Sequence, residues 1–168
     1  MYITGDKVLH PLHGAGIIEG IEAKKVLVKT MKFYIFNPAD ISVEKIYIPV
    51  NNADNIGIRY LVEDKMLKLV EDYLKDPYDL IIDEPWKSQF KKQETLVNSG
   101  NIMEVAKAFK FLFYKSLKKK LGEMDKWLFR KARDIISSEM HLVRNITIEK
   151  CSEFIIEIVN SSVIDEVA

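Results

Sequence analysis

The sequence contains a single cysteine and no long hydrophobic run. Cys151 has no second cysteine to pair with, so no disulfide can form within the chain, and its apolar sequence neighbours predict a buried thiol. No apolar stretch reaches the roughly 20 residues that a membrane-spanning helix needs. Residues 1–7 lack the basic and apolar segments of a secretion signal, so we expect a cytoplasmic protein that does not bind membranes.

Motifs of enzyme active sites are also missing. The sequence has no glycine-rich phosphate loop and no Gly-x-Ser-x-Gly element. His10 and His13 stand close together, but no cluster of cysteines or carboxylates near them in the sequence would complete a metal site. We therefore expect no catalysis, no cofactor, no metal and no small-molecule substrate. An enzyme whose site is assembled from distant residues is an alternative, which a deep pocket with perturbed carboxylates would favour.

Net charge is absent as well, but the charges are distributed unevenly. The 168 residues include 25 basic and 25 acidic ones. Residues 86–133 hold 13 basic and 4 acidic residues, whereas residues 61–85 hold 3 basic and 8 acidic ones, and residues 134–168 hold 2 and 7. Residues 1–60 are nearly neutral. Because a local excess of one sign decides whether a polyanion is attracted, residues 86–133 are the candidate for a nucleic-acid contact.

The first sixty residues predict a small β domain. Short runs of β-branched and aromatic residues, separated by proline, glycine and asparagine, predict five strands, at residues 8–10, 16–21, 25–29, 32–36 and 45–48. Five such strands can form only a small, strongly bent antiparallel sheet or partial barrel.

The remainder predicts an all-helical bundle. Apolar residues recur at helical spacing in about five segments, whose ends are marked by Asp76-Pro77, Asp83-Glu84-Pro85, Asn98-Ser99-Gly100 and Thr147. The stripes expected to be buried include Leu117, Met124, Ile148 and Phe154. The fold class is therefore α+β, with a β domain at residues 1–60 and a helical domain at residues 61–168.

Basic residues in the helical part follow helical spacing. Lys87 and Lys91 are one turn apart, and Lys126, Arg130 and Arg133 follow an i, i+4, i+7 pattern. Four more lysines, Lys115, Lys118, Lys119 and Lys120, end the helix between these two groups. We interpret this set of basic residues as a surface that contacts phosphates. Faces that only keep the protein soluble are the alternative.

Two tryptophans lie in the basic region. Trp86 follows Pro85 at the start of a basic helix, where it can either wedge against bases in a minor groove or cap the core of the bundle. Trp127 lies between Lys126 and Leu128-Phe129, and these apolar neighbours predict a core position.

Several segments together resemble the CarD/CdnL family of bacterial transcription regulators. The segments are Gly5–Val8, Pro11–Gly16, Tyr47–Arg59, Trp86, Ser99–Asn101, Val105-Ala106 and Lys131–Arg133. The first sixty residues are also similar to the polymerase-interacting module of transcription-repair coupling factors. The resemblance covers nearly the whole chain, which favours a regulator of the CarD/CdnL type over a fragment of a coupling factor.

This resemblance implies a Tudor-like β domain that docks on the β subunit of bacterial RNA polymerase. It also implies a helical domain that contacts the promoter DNA minor groove at the upstream edge of the transcription bubble, weakly or without specificity when alone. The expected consequence is a stabilised open promoter complex, and the expected location is the nucleoid, through the polymerase.

The family positions fall on identifiable residues of this chain. The tryptophan of the minor-groove wedge falls on Trp86 and the basic DNA contacts on Lys91 and Lys126, with Lys87 beside them. Arg130 and Arg133 join this set from the helical pattern. On the β domain, the polymerase-facing positions are Lys24, Tyr47, Ile48 and Pro49, where Tyr47 replaces a residue that is commonly arginine. A protein–protein adaptor whose basic face meets an acidic partner and no nucleic acid is the alternative.

Overall fold

A computed structural model describes residues 1–78 and 80–167, with side chains up to Val163. An antiparallel sheet is followed by helices, which confirms the α+β class. The strands are β1 (Lys7–His10), β2 (Gly14–Val26), β3 (Lys29–Pro38), β4 (Ile46–Pro49) and β5 (Arg59–Tyr60), and their order in the sheet is β4-β3-β2-β1-β5.

The strand predicted at residues 25–29 is not a single strand: residues 25 and 26 end β2, residue 29 begins β3, and the chain reverses direction between them. Leu27 has a left-handed backbone with φ of 57°, and the side chains of Leu27 and Val28 are about fully exposed at the tip of the β2–β3 hairpin. An apolar, β-branched run does not by itself distinguish a buried strand from a hairpin tip. The short strand β5 was not predicted, since two residues are too few to show alternation.

The neighbouring strands β2 and β3 approach each other closely at Gly16. A Cβ atom at Gly16 would lie 2.6 Å from the ring of Phe36, so only glycine allows this approach. The register of the two strands also shifts between Ile18 and Gly20, which is a bulge that increases the local twist. Side chains that share the resulting small core are Tyr2, Val8, Ile18, Tyr34, Phe36, Ile48, Ala53 and Ile58.

Six α-helices are present in the described residues. They are α1 (Ala53–Ile56), α2 (Asp64–Lys75), α3 (Trp86–Val97), α4 (Ile102–Lys118), α5 (Glu123–Arg144) and α6 (Ile148–Val167). The five long helices agree with the predicted segments, and α1 is too short to produce an apolar period. The Asn101 side chain caps α4 by accepting hydrogen bonds from the backbone N–H groups of Met103 and Glu104.

The core of the bundle contains most, but not all, of the predicted apolar stripes. Cys151 is 1% exposed, which confirms the predicted buried thiol. Leu117, Met124 and Phe154 were predicted to be buried, but they are 52%, 51% and 38% exposed, and Ile148 is only partly buried. Leu117 and Met124 lie in the last turn of α4 and the first turn of α5, where no neighbouring element covers them.

The sheet and the bundle are joined by a buried polar contact. Glu139 of α5 is fully buried and forms two hydrogen bonds with the guanidinium of Arg59 on β5, at 2.7 and 3.0 Å, and a third with the backbone N–H of Val62. The backbone N–H of Ala15 donates to the hydroxyl of Ser138 at 2.9 Å. Leu9 and Ala15 of the sheet also belong to the core of the bundle, so the two parts pack as one body.

Candidate nucleic-acid interface

Trp86 is exposed at the first residue of α3. Its side chain is 46% exposed, and its indole stacks on the ring of Phe90 with the centroids 5.5 Å apart. Phe90, one turn further along the helix, is partly buried against the bundle. The alternative that Trp86 lies in the core is therefore wrong. Its indole contacts Phe90 and is partly exposed to solvent.

Lys87 and Lys91 follow Trp86 on the exposed side of α3, opposite the buried side chains of Gln89, Gln93 and Val97. They lie about 100° and 140° around the helix from Trp86. Lys91 forms an exposed ion pair with Glu94 at 3.3 Å, which contributes little to stability. Among the residues that the structure describes, no carboxylate lies within ion-pair distance of Lys87. Both ammonium groups are therefore available to a phosphate.

The three predicted cations of α5 project from its polar side. Lys126 pairs with Glu123 at 2.7 Å, and Arg133 pairs with the neighbouring Asp134 at 2.9 Å. Arg130 is exposed and has no ion-pair partner in the described part of the chain. Because an ion pair at the surface is weak, a phosphate can replace either carboxylate.

Trp127 was predicted to lie in the core, but it is 44% exposed. At about 100° per residue, Trp127 lies about 100° and 140° around α5 from the buried Leu128 and Ala132, so its apolar sequence neighbours point elsewhere. The Nζ atom of Lys131, one turn later, lies 5.2 Å from the centroid of the indole ring. The helical position relative to the buried stripe was the signal that sequence reasoning missed.

Lys131 connects α5 to the end of α3. Its Nζ atom donates a hydrogen bond to the side-chain oxygen of Asn98 at 2.7 Å, and burial lowers the pKa of this ammonium group. Trp127 and Lys131 thus lie on the side of α5 nearest α3. Lys126 and Arg133 lie about 140–160° around α5 from Lys131. Lys126, Arg130 and Arg133 themselves lie within about 60° of one another around α5, so they share one face, with Arg130 nearest Trp127.

Two lysines of the basic segment are not available to a ligand. Lys115 is 1% exposed and pairs with the buried Asp125 at 2.8 Å, so its assignment to the basic surface is wrong. Lys110 is equally buried and donates to the backbone carbonyl oxygens of Tyr73 and Asp76. These two side chains connect α4 to neighbouring segments. The spacing of lysines in the sequence does not distinguish such buried lysines from exposed ones.

On the sheet, three of the predicted polymerase-facing residues (Tyr47, Ile48 and Pro49) lie on the edge strand β4, and Lys24 lies on β2. The strand β4 is the last in the sheet order, and the Nζ atom of Lys24 lies 3.3 Å from the ring centroid of Tyr47, which is 44% exposed. Pro49 is half-buried at the end of β4. The Ile48 side chain is only 1% exposed and belongs to the sheet core, so only its backbone can take part in a contact.

His10 and His13 are close together, with ring centroids 4.6 Å apart. Burial lowers the pKa of His10 to about 4, and the nearby charges of His13 and Lys131 act in the same direction. The backbone N–H of Leu12 donates to Nδ1 of His10 at 3.1 Å, which requires that nitrogen to be unprotonated. No group of three or more metal-binding side chains occurs within the described residues.

Two cavities lie in the described part of the chain. A cavity of about 250 Å³ lies between α2, α3 and α4, with Asp83, Glu84 and Lys92 among its lining residues, and one of about 280 Å³ lies beside Cys151 and Phe154. Carboxylates with a lowered pKa, such as Glu63 and Glu123, pair with a lysine at the surface. None of the described helices is long and apolar enough to span a membrane.

Comparisons with known proteins cover both parts of the chain. A family model described as the CarD C-terminal domain matches residues 69–156, and one described as the CarD-like/TRCF RID domain matches residues 2–62. The chain is also 28% identical, over 155 residues, to a protein of Bacillus subtilis (strain 168) named "Putative transcription factor YdeB". That alignment covers 92% of this chain and 99% of the relative.

Proposed function

Because this chain belongs to the CarD family of transcription regulators, we propose that it divides its work between two domains. Residues 1–60 bind the β subunit of RNA polymerase, and residues 61–168 contact promoter DNA at the upstream edge of the transcription bubble. The consequence is an open promoter complex that closes more slowly. No catalytic step is required.

The observation that carries the DNA contact is the exposed indole of Trp86 at the first residue of α3, followed on the same helix by the accessible ammonium groups of Lys87 and Lys91. An aromatic wedge at a base step and cations on the flanking phosphates are a common arrangement in minor-groove binding. Lys87 and Lys91 supply the first phosphate contacts, and Lys126, Arg130 and Arg133 extend them along α5. The Trp86 indole is exposed and stacks on Phe90. It can therefore enter a groove without a rearrangement of the core.

The polymerase contact is supported by the match of residues 2–62 to a polymerase-interacting domain. The open edge of β4 can extend its sheet by pairing with a strand of another protein. Lys24 and Tyr47, which touch each other, offer a cation and a phenol near this edge. Pro49 limits the pairing at one end because it has no N–H to donate.

Docking on the polymerase makes a weak DNA contact effective. A tethered domain sees nearby DNA at a local concentration on the order of millimolar. A wedge that prefers the unwound junction to closed duplex shifts the equilibrium toward the open complex. A preference of about 1–2 kcal/mol for the junction corresponds to a roughly five- to thirty-fold change in the equilibrium constant between the closed and open complexes.

The experiment that tests this proposal compares the affinity of the protein for a forked duplex, which mimics the upstream edge of the bubble, and for the fully paired duplex. We expect the fork to bind roughly five- to thirty-fold more tightly, and Trp86→Ala to remove most of that preference. The matched control is Leu69→Ala, since Leu69 is 53% exposed on α2, outside this surface. Equal affinities of the wild type for the two DNAs would refute the proposed wedge.

A further inference from the structure

Trp127 has no role in the arrangement proposed above. It is one of only two tryptophans in the chain, and it is about as exposed as Trp86. It lies on a different helix, and the Lys131 ammonium contacts its indole ring. A large aromatic side chain left in water on an α-helix invites a functional explanation.

The charges around Trp127 are those that attract a polyanion. Arg130 lies about 60° around α5 from Trp127 and has no ion-pair partner in the described residues. Lys126 precedes the indole, and the Lys131 ammonium lies close to its ring. The carboxylates of Glu123 and Asp134 are exposed and hold Lys126 and Arg133 only weakly.

The position of the indole is also restricted before any ligand binds. The Lys131 ammonium that contacts the ring is itself anchored to Asn98 at the end of α3. Since this contact links two helices, Trp127 loses less conformational freedom on binding than a free surface side chain would. An aromatic plane held in this way, with cations within one helical turn, is the arrangement by which proteins bind single-stranded nucleic acid.

We propose that Trp127 stacks on an unpaired base of single-stranded DNA, with Arg130 and Lys126 on the adjacent phosphates. The inference rests on the proposed function, because the strands separated by the polymerase supply the unpaired base. It differs from the role of Trp86, which wedges into paired DNA. The only exposed apolar residue within one turn of Trp127 on α5 is Met124, so the surroundings favour a polyanion over an apolar protein surface.

The two tryptophans allow each site to be observed alone. In Trp86→Phe the fluorescence reports on Trp127, and in Trp127→Phe it reports on Trp86. Titration of the full-length Trp86→Phe protein with oligothymidylate is expected to quench its fluorescence to saturation. A duplex at the same concentration should quench it much less. Oligothymidylate is suitable because it forms no duplex with itself.

The affinities of single-substitution variants for oligothymidylate distinguish the contribution of base stacking from that of charge. Trp127→Ala should weaken binding about tenfold, whereas Trp127→Phe, which keeps an aromatic plane, should weaken it only about twofold. Arg130→Gln should lower the salt dependence of the binding, and duplex affinity should not change in the tryptophan variants.

Three results would overturn the proposal. The first is the absence of quenching by oligothymidylate, and the second is equal quenching by oligothymidylate and duplex. The third is quenching by RNA polymerase alone, which would assign Trp127 to a protein contact. None of these results affects the fork preference that Trp86 confers. Conversely, a fork preference unaffected by Trp86→Ala would refute the wedge without removing the quenching of Trp127.

Discussion

At the residue scale, the lysines and arginines of the helical part differ in what they already contact. Lys91 and Lys126 pair with carboxylates at the surface, where water screens the attraction. Lys115 and Asp125 pair in the interior, and neither forms a second ion pair with any residue that the structure describes. Exchange of a carboxylate for a phosphate is therefore easy for the first two residues and excluded for the third.

The exposed lysines should appear in the salt dependence of DNA binding. Lys91→Ala and Lys126→Ala are each expected to lower the slope of log affinity against log salt by about 0.9, since each removes one phosphate contact. Duplex titrations over a range of salt concentrations measure this slope.

Lys65→Ala is the control for these two variants, because Lys65 is an exposed lysine of α2, outside the proposed surface, and is paired with Glu63 at 2.8 Å. Its slope should equal that of the wild type. A wild-type slope in Lys91→Ala or Lys126→Ala would show that the residue does not contact a phosphate.

His10 should make the stability of the protein depend on pH. The pKa of His10 is lowered to about 4 in the folded state, so the unfolded chain takes up a proton at higher pH than the folded one. Stability is therefore fully present above about pH 6.5 and is lost as the pH falls toward 4, by up to about 1.4 kcal/mol per pH unit.

Denaturant unfolding at several pH values tests this expectation. His10→Gln keeps an acceptor for the Leu12 N–H and removes the titration, so its stability should fall less steeply than that of the wild type. Some slope should remain, because burial also lowers the pKa of His13. Identical slopes in the two proteins would contradict the assignment to His10.

At the element scale, the joint between β5 and α5 sets the orientation of the sheet relative to the bundle. Glu139 is buried and accepts three hydrogen bonds, two of them from Arg59. The two residues are 80 positions apart in the sequence, and β5 is only two residues long. The joint could therefore not be predicted from the sequence, although it sets the relative orientation of the two proposed binding surfaces.

Removal of the buried carboxylate should destabilise the whole protein. Glu139→Ala leaves the Arg59 guanidinium and the Val62 N–H without their partner, and we expect a loss of roughly 3 kcal/mol in the free energy of unfolding. Glu157→Ala, which removes an exposed carboxylate of α6, should change it by less than about 0.5 kcal/mol. Equal effects of the two changes, measured by chemical denaturation, would show that the joint does not stabilise the fold.

The helices illustrate what local sequence determines. Helical periodicity and end signals place α2 to α6 well, because apolar residues of each of these helices contact one core. The same periodicity does not show where the core ends, and this is why Leu117 and Met124 are exposed. It also fails when an aromatic residue is judged from its sequence neighbours, as with Trp127, since neighbours in a helix point about 100° apart.

At the scale of the whole molecule, two surfaces of different chemistry belong to one packed body. The open edge of β4 with Lys24 and Tyr47 lies on the sheet, and the indoles and cations lie on α3 and α5. The family resemblance suggested both surfaces, whereas charge distribution alone suggested only the second. Their separation on the molecule allows each contact to be removed without the other.

A change on the sheet should impair polymerase binding alone. Tyr47→Ala removes the exposed ring and its contact with Lys24, and we expect weaker binding to the isolated β lobe of RNA polymerase in a pull-down, by roughly 1–2 kcal/mol. Its affinity for duplex DNA should equal that of the wild type. Tyr60→Ala, at the opposite edge of the sheet and also exposed, is the control. Undiminished binding of Tyr47→Ala would exclude this edge as the contact.

The most direct test of the account is the lifetime of the open promoter complex. In a dissociation assay with RNA polymerase, the wild-type protein should lengthen that lifetime roughly five- to thirty-fold. Trp86→Ala should bind the polymerase as tightly as the wild type and yet lose most of this effect. An unchanged lifetime with Trp86→Ala would contradict the claim that the exposed indole on α3 holds the junction open.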